Sequence, residues 1–111
     1  MSCNLSIEAV DYALKHGVYG NVNDDNNLYI EMHKRKIKNI PTNVLYHIHI
    51  PTHMRNKGLF TGILNELIKR SKNMYLLVGP FVSDESDYII KVLERRGFQH
   101  AMPFSMYKFI E

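Results

Sequence analysis

A chain of 111 residues with 45% hydrophobic side chains has material for one core and no room for a second independent domain. Its charged fraction of 23% and the lack of long like-charge or low-complexity blocks argue against disorder, and no run approaches the ~18 apolar residues of a membrane span. The formal charge of +3 is too modest to choose between an anionic cofactor, a nucleic acid and no anionic partner. The single Cys3 rules out an intramolecular disulfide, and no basic segment precedes an apolar run at the N-terminus, so a reducing, cytoplasmic setting is expected.

The first predicted element is a short helix from Ser6 to His16. Ile7, Ala9, Val10, Tyr12, Ala13 and Leu14 give it a broad apolar face, with Ser6 as N-cap and Gly17 as stop. Gly20 to Asn27 is rich in Asn, Asp and Gly and reads as a surface loop. Leu28, Ile30 and Met32 then alternate with Tyr29, Glu31 and His33, the pattern of a half-buried strand. The basic run Lys34 to Lys38 belongs to a turn or a solvated continuation, and Ile40-Pro41 is expected to break regular structure.

Val44 to Ile50 is short, β-branched and aromatic, ends at Pro51, and is the best candidate for a central strand. Strict alternation would put Val44, Tyr46, Ile48 and Ile50 on one face and Leu45, His47 and His49 on the other. From Leu59 to Lys72 apolar residues recur at helical spacing, with Lys69, Arg70 and Lys72 near the negative end of the helix dipole. Met74 to Val78 is a continuous apolar run suited to a strand buried on both faces. A second long helix follows, capped by Ser83 or Asp84, with Tyr88, Ile89, Val92 and Leu93 on its apolar face and Gly97 ending it. Phe98 to Ile110, interrupted by Pro103, suggests one or two antiparallel strands. Strands flanking helices in this order predict an α/β or α+β sandwich in a single domain, 1–111.

Chemistry concentrates where the strand Val44 to Ile50 gives way to Pro51-Thr52-His53-Met54-Arg55-Asn56-Lys57-Gly58-Leu59-Phe60 and a helix begins. Unsatisfied N–H groups in a first helical turn attract anions, Gly58 lets a phosphate approach the backbone, and Arg55 and Lys57 add positive charge. This strand, basic turn and helix resemble the GNAT superfamily of N-acetyltransferases. The family has the turn Arg/Gln-x-x-Gly-x-Gly/Ala, matched here at Arg55 and Gly58, and its closing helix ends in Gly-Phe before a strand, as Gly97-Phe98 does. The resemblance covers about Val44 to Ile110 and departs in two places. Phe60 replaces the final small residue of the turn, and Leu93 stands where the family often carries the tyrosine that protonates the departing thiolate.

The resemblance implies a mixed, mostly antiparallel central sheet splayed between two central strands and flanked by helices. It further implies acetyl-CoA as cofactor, with its pyrophosphate on Arg55, Asn56, Lys57, Gly58, Leu59 and Phe60. The thioester would lie beside Ile48 and Ile50, and Ser86 would stand for the family's cofactor-contacting asparagine. The acceptor would be a primary amine of unread size, and a short chain with few lid elements favours a protein amine over an enclosed metabolite. A base with pKa near neutrality would serve the amine; His47, His49 and Glu31 are the candidates, with Tyr88 or Tyr107 as replacement acid.

Plainer roles stand beside these. Hydrogen-bonded packing is the default for half-buried histidines, a charged strand residue such as Glu31 is usually solvated, and no cysteine or well-spaced carboxylate completes a metal set with His47, His49 and His53. Without aromatic interleaving the run His33 to Lys38 disfavours nucleic acid as a partner, and Tyr75 and Phe81 are expected to pack the core or close the cofactor groove. A catalytically silent CoA- or partner-binding protein is the alternative function, and the strand-rich C-terminal end could pair or swap with a second copy.

Overall fold

A computed structural model describes residues 2–81, 86–101 and 104–111, with side chains omitted for 2–4 and 86. Helix α1 spans Ser2–His16 and stops where Gly17, at φ 90°, donates its N–H to Ala13 O. Ser6 therefore lies inside the helix and does not cap it. Its side chain is buried, with Oγ 3.5 Å from Leu59 O, because this is where α1 crosses the next helix.

After a short strand β1 (Val18–Tyr19) and the loop 20–27, β2 (Tyr29–Ile37) and β3 (Ile40–His49) form an antiparallel hairpin. Lys34, Arg35 and Lys36 stay in the strand, exposed, and the chain reverses at Lys38 and Asn39, whose φ values of 53° and 66° are those a two-residue type I′ turn needs. Ile40-Pro41 thus opens a strand instead of breaking order; proline is tolerated at a strand's start.

The predicted alternation along β3 fails at Tyr46. Glu31 pairs with His47 but Met32 pairs with Leu45, so Tyr46 is the extra residue of a β-bulge. The parity of the strand shifts there: Leu45 and Ile48 share the core side, while Val44, Tyr46, His47 and His49 are left on the other.

The remaining elements are α2 (Leu59–Arg70), β4 (Met74–Val78), α3 (Ser86–Arg95), β5 (Gln99–Ala101) and β6 (Ser105–Ile110). The sheet order is β1-β2-β3-β4-β6-β5, antiparallel throughout except for β3 beside β4. This is an α+β fold with a six-stranded mixed sheet and three helices. Parallel pairing joins only Thr42–Leu45 to Tyr75–Val78; β3 then runs on to His49, whereas the chain after β4 turns toward β6, Phe81 N–H bonding Phe104 O at 2.8 Å.

All three helices lie on one face. Ala9, Val10 and Ala13 of α1, Ile63, Leu64 and Leu67 of α2 and Leu93 of α3 join Ile30, Leu45, Leu76 and Met106 in one buried cluster. Lys108, alternating on that face with Met106 and Ile110, donates from Nζ to Arg96 O just beyond α3. The side of the sheet carrying Tyr46, Tyr75, Tyr107 and Phe109 has no helix over it among the described residues. No described helix is long and apolar enough to cross a membrane.

The α1–α2 crossing depends on Gly62, where an added Cβ would lie 2.6 Å from Ser6 Oγ and 3.3 Å from Ser6 Cβ. A glycine-to-alanine change inside a helix ordinarily stabilises by about 1 kcal/mol. Here the sign should reverse: Gly62→Ala is expected to lose about 1–2 kcal/mol through overpacking. Ser6→Ala in the same chain should recover part of it, and urea unfolding of the single and double variants reads both outcomes.

Candidate functional site

Between the end of β3 and the start of α2 the chain makes a short 3-10 turn (Thr52–Met54) and then two left-handed steps, Asn56 at φ 60° and Gly58 at φ 75°. Those steps fold the backbone back so that Gly58 becomes the N-cap of α2. No side chain caps this helix, its first turn holds no acid, and its first internal hydrogen bond is Gly62 N–H to Gly58 O. The N–H groups of Leu59, Phe60 and Thr61 therefore have no acceptor within the helix, the arrangement that draws an anion. A Cβ placed on Gly58 would meet nothing within 4 Å, so the approach to this turn is open.

The turn forms one wall of an open cleft of about 260 Å³ lined by Ile48, Ile50, Met54, Arg55, Asn56, Gly58, Leu59, Phe60, Tyr88 and Ile89. Most of the residues expected to hold a cofactor thus meet in one cleft, on the helix-covered face of the sheet. Its volume is below that of sites enclosing a whole drug-sized ligand, so it would grip one segment of a long molecule. Lys57 is exposed beside the cleft and not part of its lining. The side chain of Ser86 lies outside the described residues, as do Ser83 and Asp84. Met54 and Ile89 were missed by sequence reasoning; the helical period of α3 could have found Ile89, one residue from Tyr88, but nothing marks Met54.

Arg55 has a structural part beside the one expected. Its Nε donates to Ile50 O at 2.8 Å, so the side chain ties the turn to the end of β3 as well as bringing charge to the cleft wall. Tyr88 stands at the rim, 61% exposed, its ring 6.4 Å from Phe60. Leu93, five residues further along α3, is fully buried and faces the core. Tyr107 lies across the sheet, its hydroxyl on Gln99 Oε1 at 3.1 Å, and does not line the cleft.

The candidate bases sit on the open face. His47 is exposed, edge-on to Tyr29 at 5.2 Å, and paired in register with Glu31. His49 instead bonds Asp25 O at 3.0 Å and anchors the loop 20–27 to the sheet. Glu31 accepts from the Tyr29 hydroxyl at 2.9 Å and contacts His33 Nε2 at 2.7 Å. The His33 hydrogen bond holds the Glu31 carboxyl below its ordinary value, against the opposing effect of burial, with Tyr29 and the charges of His33 and His47 adding to the lowering. Burial pushes the Tyr29 hydroxyl up, and Glu31 beside it adds to that. A carboxylate held low is a weak proton acceptor, so Glu31 is the poorer candidate for the base. No group of three described His, Cys, Asp or Glu side chains is placed to hold a metal ion.

Because folding lowers the pKa of Glu31, the pair with His33 contributes stability above the unfolded carboxylate range and loses it as pH falls through the folded value. The stability difference between the natural chain and His33→Ala should be largest above about pH 5 and shrink toward pH 3. Urea midpoints across that range check it, and a difference that grows on acidification would contradict the pairing.

No protein-family model matches this sequence, and no curated protein matches it either. Function therefore has to be argued from the cleft and the residues around it.

Proposed function

We propose that this chain is an N-acetyltransferase that uses acetyl-CoA and acylates a primary amine by direct attack. The observation that carries the reading is the coincidence of three things in one cleft: the end of β3, a basic turn with two left-handed residues, and an uncapped helix N-terminus. The residues present fit the cofactor. The open side of Gly58 and the lack of an acid in the first turn of α2 leave room and charge for a pyrophosphate at the Leu59, Phe60 and Thr61 amides. Ile48, Ile50, Met54 and Leu59 offer the apolar wall that a pantetheine arm requires. When bound, acetyl-CoA supplies an acetyl group already activated as a thioester.

Pairing of β3 with β4 ends at Leu45 and Val78 while β3 runs on to His49, and this unpaired β4-side edge at the end of β3 supports the same reading. His47 lies on that stretch of β3, paired in register with Glu31, and is the group we assign to take the proton from the acceptor amine. Tyr88, lining the cleft at the start of α3, is assigned to return a proton to the leaving sulfur, because Leu93 is closed into the core.

Isothermal titration with acetyl-CoA and a thiol-release assay against a panel of amines test the proposal. His47→Ala is expected to lower the rate by about 10²–10⁴-fold with cofactor affinity unchanged, the loss typical of a removed general base. Leu93 favours one alternative, a silent CoA-binding protein. That reading predicts normal cofactor binding with no rate against any amine, and absence of binding by folded protein would remove both.

A further inference from the structure

We infer that the helix-free face of the sheet, opposite the cofactor cleft, is a binding platform for a single strand of nucleic acid. The register puts Arg35, Thr42, Tyr75 and Phe109 in one row across β2, β3, β4 and β6, and His33, Val44, Leu77 and Tyr107 in the next. The large apolar side chains left exposed on these four strands are both rings, Tyr46 at 40% and Phe109 at 39%. Tyr75 lies 5.3 Å from Phe109, edge to face, and 6.0 Å from Tyr107, tilted, so the rings brace one another. Planar π-faces on a rigid sheet accept any nucleobase by stacking.

Charge identifies the partner. The hairpin beside the rings carries Lys34, Arg35, Lys36 and Lys38, exposed and without an ion pair to any described residue. By parity Arg35 lies on the ring-bearing face, about 10 Å from Tyr75 across two strand spacings. The described acids on that side include Glu31, already engaged by Tyr29 and His33, Asp25 in the loop that His49 holds at the opposite end of β3 from the basic hairpin turn, and Glu111 beyond the end of β6. A second copy would bring the same unpaired cations to a self-complementary interface, whereas a phosphate backbone neutralises them while its bases reach the rings. The basic run lacks aromatic interleaving along the chain; the fold supplies it from neighbouring strands, and Tyr75, expected to pack the core or close the cofactor groove, stands half-buried on the open face.

Fluorescence anisotropy with labelled single-stranded deoxyribo- and ribo-oligonucleotides of about 12 nucleotides, within the range of one such module, tests this, with a duplex of the same sequence as control. Both single strands should bind more tightly than the duplex, the better of the two identifying the sugar preferred. Tyr46→Ala and Phe109→Ala should each weaken binding roughly 5- to 100-fold, and Arg35→Gln should reduce the salt slope by about one. Phe109→Leu guards against simple unfolding: it keeps the apolar contact, should hold the thermal midpoint, and should still lose affinity. A folded natural chain that binds no single strand, binds the duplex equally well, or is indifferent to loss of both rings overturns the inference. So does a dimer that binds no strand, which would assign the face to a second copy.

Discussion

Replacing Gly58 with glutamate is expected to abolish acetyl-CoA binding, a loss of at least about a hundredfold, while the protein stays folded. Two effects act on the fold and both are small. The left-handed backbone at φ 75° costs a side chain on the order of 1 kcal/mol, and a carboxylate at a helix N-terminus returns part of that through the dipole. No steric term joins them, since a Cβ there meets nothing within 4 Å. The ligand meets the opposite balance. A negative charge would stand at the mouth of the amide cluster proposed to face a pyrophosphate in the cleft, and like charges brought together on binding cost several kcal/mol. Titration calorimetry with a circular-dichroism check separates the cases. A folded variant that binds acetyl-CoA as well as the natural chain would move the phosphate away from this turn and take the cofactor assignment with it.

The largest effect on stability should come from Leu67→Ala. Leu67 has no exposed surface, lies on the sheet-facing side of α2 and shares the central cluster with residues from every layer of the fold. Its carbonyl also accepts the Ser71 hydroxyl at 2.7 Å, and Ser71 in turn receives Asn43 Nδ2 at 3.0 Å, so the cavity would open beside a buried polar chain that holds α2 to β3. Truncations of this kind cost about 2–5 kcal/mol. For a domain of this size that is a fall in thermal midpoint on the order of 10–20 °C. Ile7→Ala is the contrast. Ile7 belongs to the apolar face read from the sequence but is 47% exposed, and its loss should stay within about 0.5 kcal/mol. Equal losses at the two positions would mean that Ile7 is covered in solution by something the chain alone does not provide.

These contrasts mark where periodicity was informative. The α2 pattern was legible because Leu59, Phe60, Ile63, Leu64 and Leu67 recur at a helix's own spacing and all five are buried. Met74 to Val78 and the Gly97 stop were legible for equally local reasons, a short apolar run and a residue that tolerates φ 84°, although the strand is buried on one face only, Tyr75 and Leu77 being half-buried on the other. The turn from Arg55 to Phe60 could be singled out because glycine, charge and a following helix are close in sequence. What misled was anything that needed a partner. Ser6 looks like a cap until α2 crosses it, and Pro41 looks like a breaker until β2 lies beside it. The two faces of β3 could not be assigned without the bulge at Tyr46, which exists only as a mismatch between two strands.

By itself, then, the sequence determined one core's worth of apolar residues, the order of helices and strands, and a basic glycine turn at the head of an amphipathic helix. Each depends on interactions between residues a few positions apart. Only the tertiary structure decided that three helices share one face, that His47 and Glu31 stand across the sheet from the cleft, and that Tyr46, Tyr75, Tyr107 and Phe109 assemble into a surface. Those outcomes are set by strand order, register and a shift of parity by one residue, and register is a property of the pair of strands, written in neither of them alone.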